Sequence, residues 1–409
     1  MLKHFSAYGF LKNQRYFEPF IILFFIENGL SFAEIGILIA IRELFQNLFE
    51  IPSGALADSF GRKRVMVFSF IAYLLSFLIF SLTHKFFLFA GAMFFFGIGD
   101  AFRTGTHKAI IFKWLEGQNK GDEKTYYYGY TRSWSKYGSA FSVIISVVIL
   151  FMTNSYRALF LFSMLPYMLG LINFFYYPPE DHPQFKSVLH SVGMVFSHFK
   201  SSFRQIFREK GLSRLFAESM NFEGGFKATK DYIQPVVQNL AILLPLGFAW
   251  HLEKGNEYLS IGIVYIILYL LSGVASRKAN WFKAKMSGEE DAALAIWRIN
   301  FLIFALMLPA LIFKMYHIAV LLFVLLYVIQ NFWRPILITR ISDKANEKNL
   351  ATVLSIESQA KSIASMILAP SIGFAVDWYL KANATGPYWP VAFTGVILAL
   401  PFVFKRSKI

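Results

Sequence analysis

Asp100, Arg103 and His107 recur at i, i+3 and i+7. That spacing puts an acid, a guanidinium and an imidazole on one face of a helix. Glu223, Lys227 and Lys230 share the spacing, and Arg15–Glu18, Arg132–Lys136 and Glu357–Lys361 are pairs at i,i+3 or i,i+4. All of them stand inside long apolar runs. A charge at the centre of a bilayer costs about 2.5–3.5 kcal/mol or more, so it faces a partner or a water-filled cavity. Groups placed this way can bind a polar solute or exchange a proton. There is no H-E-x-x-H, no G-x-S-x-G and no Gly-rich phosphate loop. The chain has no cysteine, which removes disulfides, thiolate zinc sites and iron–sulfur clusters. We therefore expect neither an enzyme nor a bound metal or cofactor.

The elements that position these residues follow from composition. Of 409 residues, 56% are hydrophobic, 16% are charged and 47 are Phe. A soluble domain carries roughly 45–50% apolar and about 25% charged residues. The formal net charge of +15 would suit nucleic acid, but the bases sit in short clusters between apolar runs, as topology signals and anionic-lipid contacts do. Spans of about 20 apolar residues cross the hydrocarbon core. Twelve are predicted: Phe10–Ile26, Ile35–Ser53, Val65–Leu82, Phe86–Ile111, Tyr126–Met152, Ala158–Tyr177, Leu212–Leu240, Tyr258–Ala275, Ala292–Phe313, Ile318–Thr339, Thr352–Val376 and Tyr388–Phe404. The seventh is crowded with polar residues, and Ala241–Trp250 reads as its continuation or as a reentrant piece. No cleavable signal peptide is expected at the start. The fold class expected is an all-α polytopic membrane protein.

One set of loops holds Arg62, Lys63 and Arg64, then Lys113, Lys120 and Lys124, then Arg277, Lys278, Lys283 and Lys285, then Arg340, Lys344 and Lys348. The alternate loops hold at most one base each. Basic loops face the cytoplasm, so both termini are expected inside, with the tail Lys405, Arg406 and Lys408 agreeing. The long hydrophilic stretch after span six divides the chain into an N-terminal half (1–182), a linker (183–211) and a C-terminal half (212–409). Within it Val188–Phe207 reads as an amphipathic helix on the inner membrane surface. The halves share faint likenesses: Ala101-Phe102-Arg103 against Phe332-Trp333-Arg334, and Ser133 with Lys136 against Ser358 with Lys361.

Charge is unevenly shared. Spans three, six, eight and twelve hold almost none and nine holds only Arg298, whereas one, two, four, five, seven, ten and eleven carry stripes. The striped helices are expected to surround a polar cavity. Glu43, Glu50 and Glu218 read as satisfied ion pairs, and Arg103, His107, Glu223, Lys227 and Arg334 as cavity lining.

The loop after span two reads Gly54-Ala55-Leu56-Ala57-Asp58-Ser59-Phe60-Gly61-Arg62-Lys63-Arg64. It is similar to the signature G-x-L-A-D-R-x-G-R-K of the major facilitator superfamily, with Ser59 where a base is usual. The resemblance implies a major facilitator fold of two six-helix halves. It implies further that spans one, four, seven and ten line the cavity, that two, five, eight and eleven form the interface between halves, and that three, six, nine and twelve face lipid. Gly54, Asp58, Gly61 and Arg62 would form a gating latch, and Arg132, Lys136, Glu357 and Lys361 interface pairs. The Gly- and Pro-rich motif of the superfamily's antiporters is missing from Gly129–Gly138.

The expected mechanism is alternating access by a secondary transporter. Arg15, Glu18, Arg103, His107, Lys227 and Arg334 are the candidate substrate ligands, and Glu18, Asp100, His107 and Glu223 the candidate coupling groups. The bases favour a small polar solute with anionic groups, because guanidinium forks grip carboxylate and phosphate. Expected partners are that solute, a coupling proton and the lipid bilayer, with no nucleic acid. The chain is expected to act as a monomer in a bacterial inner membrane. The alternative reading is a drug exporter or a lipid or amphiphile flippase on the same fold.

Overall fold

The computed structural model describes residues 1–179, 210–243, 255–286, 288–345, 350–382 and 386–404. The predicted surface helix Val188–Phe207, all but the first three residues of Ala241–Trp250, and the tail from Lys405 lie outside them. So does the side chain of Asp58. The described residues are helical throughout, with no strand among them.

The helices form two compact units. Unit 1 comprises Met1–Ile21 and Ile41–His198, and unit 2 comprises Ile22–Ala40 and Phe199–Ile409. Two helices pass from one to the other: α2 (Ile21–Glu27) and α3 (Phe32–Phe60). Unit 1 otherwise contains α1 (Leu2–Leu11), α4 (Arg62–Leu82), α5 (Phe86–Arg103), α6 (Thr106–Gly117), α7 (Lys124–Thr153) and α8 (Tyr156–Phe175). Unit 2 contains α9 (Lys210–Ser219), α10 (Gly225–Thr229), α11 (Ile233–Leu243), α12 (Gly255–Lys285), α13 (Glu289–Ile312), α14 (Tyr316–Lys344), α15 (Leu350–Lys381) and α16 (Trp389–Val403).

Among the described residues, eight helices are long and apolar enough to cross a bilayer. They are the predicted spans three to six and eight to eleven. The other four depart from that simple pattern for visible reasons. Span two is α3, which carries Arg42, Glu43 and Glu50; span twelve is the short α16; spans one and seven are interrupted.

Much of the Phe content is structural. In unit 1, α4 packs on α5 and α8, and α1 on α7. Between them the rings of Phe70, Tyr73, Phe77, Phe96, Phe160 and Tyr167 are buried and meet edge-on, tilted or stacked, with Phe17 and Phe160 parallel at 4.5 Å. Aromatic pairs add about 0.5–1.5 kcal/mol each beyond area burial. The remaining large apolar side chains form outward stripes. On α4 these are Phe68, Ile71, Leu75, Leu78 and Leu82; on α8 they are Leu161, Leu165, Met168, Ile172 and Phe175. Exposed alternation of three and four residues is a helix face, and one this apolar is a lipid face.

Three predicted spans break where charge accumulates. In span one, α1 ends at Leu11, and helix resumes through a 3₁₀ turn, Glu18–Phe20. In span four, Gly105 adopts φ +77°, a conformation that favours glycine, and separates α5 from α6. In span seven, a π turn at Met220–Gly224 and a 3₁₀ turn at Lys230–Tyr232 interrupt the helix. Backbone of this kind is tolerated at membrane depth only where it is buried in protein or lines water.

The segment Ile22–Ala40 is tied into unit 2 by unusual contacts. Ser31 and Glu34 form a capping box: Glu34 accepts from the Ser31 backbone N–H at 2.8 Å, and the Ser31 hydroxyl accepts from the Glu34 N–H at 3.3 Å. The two amides between them, Phe32 and Ala33, donate to the Asp377 carboxylate of α15 at 2.9 and 2.7 Å. A carboxylate also complements the positive end of the helix dipole. Beside this cap the backbones touch: a Cβ on Gly36 would fall 2.4 Å from the Ala369 carbonyl oxygen, and one on Gly373 2.2 Å from that of Phe32. Asp377→Ala is therefore expected to lower the stability of the detergent-purified protein by about 1–2 kcal/mol, read as a drop in its thermal transition. Asp377→Asn, which keeps one acceptor, should recover part of it.

Candidate substrate-binding and coupling site

Each unit holds a polar cluster built on its interrupted helices. In unit 1 the centre is Asp100, buried at the last turn of α5. Its Oδ1 accepts from Arg15 Nη2 and Arg103 Nη2, both at 3.3 Å, and from the Tyr73 hydroxyl at 2.5 Å. Arg15 Nε donates to the Tyr167 hydroxyl at 2.9 Å, and Arg103 Nε to that of Tyr73 at 3.0 Å. Tyr167 in turn donates to the Lys12 carbonyl at 2.8 Å, satisfying backbone freed by the break in span one. Arg15 also lies over the Phe96 ring at 5.0 Å. One carboxylate thus answers two guanidinium groups.

His107 sits apart from that cluster. An unbroken helix would align it with Asp100 and Arg103, but the Gly105 turn places it on α6. There it stacks on Tyr8 at 3.8 Å, and its Nε2 meets the Tyr177 hydroxyl at 2.8 Å. It lines a cavity of about 290 Å³ with Lys12, Arg132 and Lys136.

In unit 2 the centre is Glu357, fully buried on α15. Arg334 grips it with both arms of its guanidinium, at 2.7 and 3.0 Å. The Ser219 hydroxyl donates to it, and Lys361 stands 3.8 Å away. Lys227 donates to the Ser362 hydroxyl at 3.2 Å. Glu223 occupies the π turn, is buried, and accepts from the neutral amide of Gln330 at 3.2 Å. Toward the ends of α9 and α14, Arg340 binds both Glu218 and Glu290, with contacts of 2.5–2.9 Å.

The remaining predicted residues are placed as follows. Glu18 opens the 3₁₀ turn after the break in span one. Asp58 is in the last turn of α3. Gly61 joins α3 to α4 with φ +94°, and Arg62 opens α4, its Nη1 donating to the Ala109 carbonyl at 3.2 Å. Among the described residues nothing lies within 4 Å of a Cβ built on Gly54. Arg132 and Lys136 lie one turn apart on α7.

Sequence reasoning passed over Tyr73, Tyr167, Gln330 and Asp377. A census of ionisable residues does not count hydroxyls and amides. The signal was present, because a tyrosine in the middle of a charge-free span needs a partner for its O–H.

Together the helices and the two polar clusters give a polytopic α-helical protein with charge gathered inside it. A sequence profile of the Major Facilitator Superfamily matches residues 10–404, and the chain belongs to that superfamily. An uncharacterized MFS-type transporter, YxaM, of Bacillus subtilis (strain 168) is 30% identical over 90 residues, which span 22% of this chain and 23% of that one. The fold is similar to that of a mutant of the nucleoside transporter NupG, with TM-score 0.79 at 14% identity over 99% of both chains. It is similar also to a D-xylose-proton symporter, with TM-score 0.70 at 14% identity over 99% of this chain and 96% of that one. A peptide transporter POT in complex with sulfate gives 0.69 at 12% identity over 98% and 93%. The chain is a multi-pass membrane protein and a secondary transporter of this superfamily.

The bidentate pair in unit 2 makes a stability prediction. Glu357→Gln removes the carboxylate that Arg334 and Lys361 both contact and should cost about 3 kcal/mol. Combining it with Arg334→Met should cost less than Glu357→Gln alone, in thermal unfolding of both variants.

Proposed function

We propose that this chain moves a small polar solute bearing anionic groups by alternating access, coupled to protons. The halves 1–182 and 212–409 act as the moving bodies, joined by 183–211. It works as a single chain in a bacterial inner membrane, with both termini cytoplasmic. The loop basicity and even span count support that orientation.

The observation that carries the reading is an excess of cations on the polar walls. In unit 1, Lys12, Arg15, Arg103, Arg132 and Lys136 have a single carboxylate, Asp100, among their described bonding partners. In unit 2, Lys227, Arg334 and Lys361 accompany Glu357 and Glu223. Such walls suit an anion and offer little to a lipophilic cation.

For coupling, the acids separate by their partners. Asp100 and Glu357 are fixed by guanidinium groups, whereas Glu223 bonds to a neutral amide on a π turn. π turns are frequent at functional sites. We assign Glu223 as the group whose proton occupancy changes through the cycle. The proton symporter among the similar folds is in keeping with this.

The test is a thermal-shift screen of the purified protein against organic anions, zwitterions, sugars, lipophilic cations and lysolipids, followed by flux in proteoliposomes. A native-state ligand raises the transition. Stabilisation by anions, and uptake that follows an imposed pH gradient, is the expected outcome. Stabilisation only by lipophilic cations or lysolipids would select the exporter instead. Glu223→Gln should abolish accumulation driven by a pH gradient and leave counterflow exchange running. Loss of both together would remove Glu223 from the coupling role.

A further inference from the structure

The cavity of about 290 Å³ in unit 1 has walls of one sign. Lys12, just past the end of α1, and Arg132 and Lys136 on α7 all line it, and no carboxylate does. Among the described residues none of the three forms an ion pair; Lys12 makes only a cation–π contact, 5.3 Å from the Tyr8 ring centroid. The acid of the neighbouring cluster, Asp100, is already bonded to Arg15 and Arg103. Arg132 and Lys136 are like charges at i,i+4, an arrangement that works against the helix carrying it. Lys12 is half-buried and Arg132 and Lys136 are exposed, so all three present charge to the open recess, where an anion from outside the chain can reach them.

The walls are held rather than loose. A Cβ on Gly9 would lie 2.7 Å from the Thr131 carbonyl oxygen, and one on Gly138 2.6 Å from that of Phe10. Backbone of α1 therefore touches backbone of α7 at both positions, and Gln14 Nε2 reinforces the contact with a 3.0 Å bond to the Gly138 carbonyl. The backbone positions from which Lys12 and the two α7 cations reach into the recess are thereby fixed. Ser135 and Ser139 line the same recess. Their hydroxyls donate only to carbonyls of their own helix, at 3.3 and 3.2 Å, and can turn toward a ligand oxygen. The stacked pair of Tyr8 and His107 closes another side.

We propose that Lys12, Arg132 and Lys136 bind the phosphate of a small phosphomonoester, with the stacked Tyr8 and His107 beside its organic body. The proposal rests on the anionic-solute reading above and names the substrate class. Three separate cations match the three terminal oxygens of a phosphate dianion better than the two of a planar carboxylate. Arg132 can take two of those oxygens with its fork while the lysines act as point charges. The recess is larger than a bare phosphate needs, and its hydroxyls suit a hydroxylated body.

The experiment is a thermal-unfolding titration of the full chain in detergent at fixed ionic strength, with glycerol 3-phosphate, inorganic phosphate, succinate and glycerol. Glycerol 3-phosphate should raise the transition, inorganic phosphate less so, and succinate and glycerol should leave it in place. Lys12→Gln, Arg132→Gln and Lys136→Gln should each weaken the apparent Kd for glycerol 3-phosphate about tenfold, the scale of a lost charge-assisted hydrogen bond. Lys136→Arg should stay near wild type, as should Lys314→Gln on the exposed turn before α14. Unliganded transitions that match wild type establish that the variants are folded. Binding of glycerol 3-phosphate that the three substitutions leave unchanged overturns this site while the anionic-solute reading stands. Succinate binding as tightly as glycerol 3-phosphate overturns the phosphomonoester class. A wild-type protein that no anion stabilises overturns both readings.

Discussion

A guanidinium group carried into hydrocarbon must be answered by a carboxylate, a dipole or a ligand, and that requirement organises this molecule. Asp100 answers two such groups at once, with Tyr73 supplying a third donor to the same oxygen. Glu357 answers Arg334 through a two-armed contact, and Glu218 with Glu290 answers Arg340. Each acid lies on a different helix from at least one of its bases, so each pairing fixes how two helices pack. The aromatic core around Tyr73 and Tyr167 is then partly a consequence. Its hydroxyls serve the ion cluster while its rings fill the space between α4, α5 and α8.

The same clusters sit where helices are broken. The chain leaves α-helical geometry after Leu11, at Thr104–Gly105, at Met220–Gly224 and at Lys230–Tyr232. A break releases backbone donors and acceptors that lipid cannot satisfy. Here some are met by side chains of the neighbouring cluster, as when Tyr167 donates to the Lys12 carbonyl. The breaks also aim side chains in directions an unbroken helix could not reach. His107 turns to Tyr8 and Tyr177, and Glu223 to Gln330.

Span positions were legible in the sequence because hydropathy and loop charge are one-dimensional signals. The outward stripes of α4 and α8 lie on spans that held almost no charge. The meeting of Arg15, Asp100 and Arg103 was half legible: Asp100 and Arg103 are one turn apart, but nothing in the spacing linked them to Arg15. His107 was misaligned by the same reasoning, since i+7 implies one face only while the helix is unbroken. Lys12 lies within the predicted first span but was not singled out there, since only Arg15 and Glu18 form a helical pair in it. Asp377 was not singled out, although it sits one residue past the predicted end of span eleven. Its role depends on a fold contact with the start of α3 that no local pattern encodes.

That last contact bears on how the protein is made. The first turn of α3 is near the beginning of the chain, yet the carboxylate that completes its cap lies 344 and 345 residues later. The glycines that let α3 and α15 touch are comparably far apart. A ribosome will have released the whole of α3 into the membrane long before Asp377 exists. During that interval the Phe32 and Ala33 amides must rely on water, lipid headgroups or a chaperone. The contact between α3 and α15 therefore forms only after most of unit 2 has been synthesised.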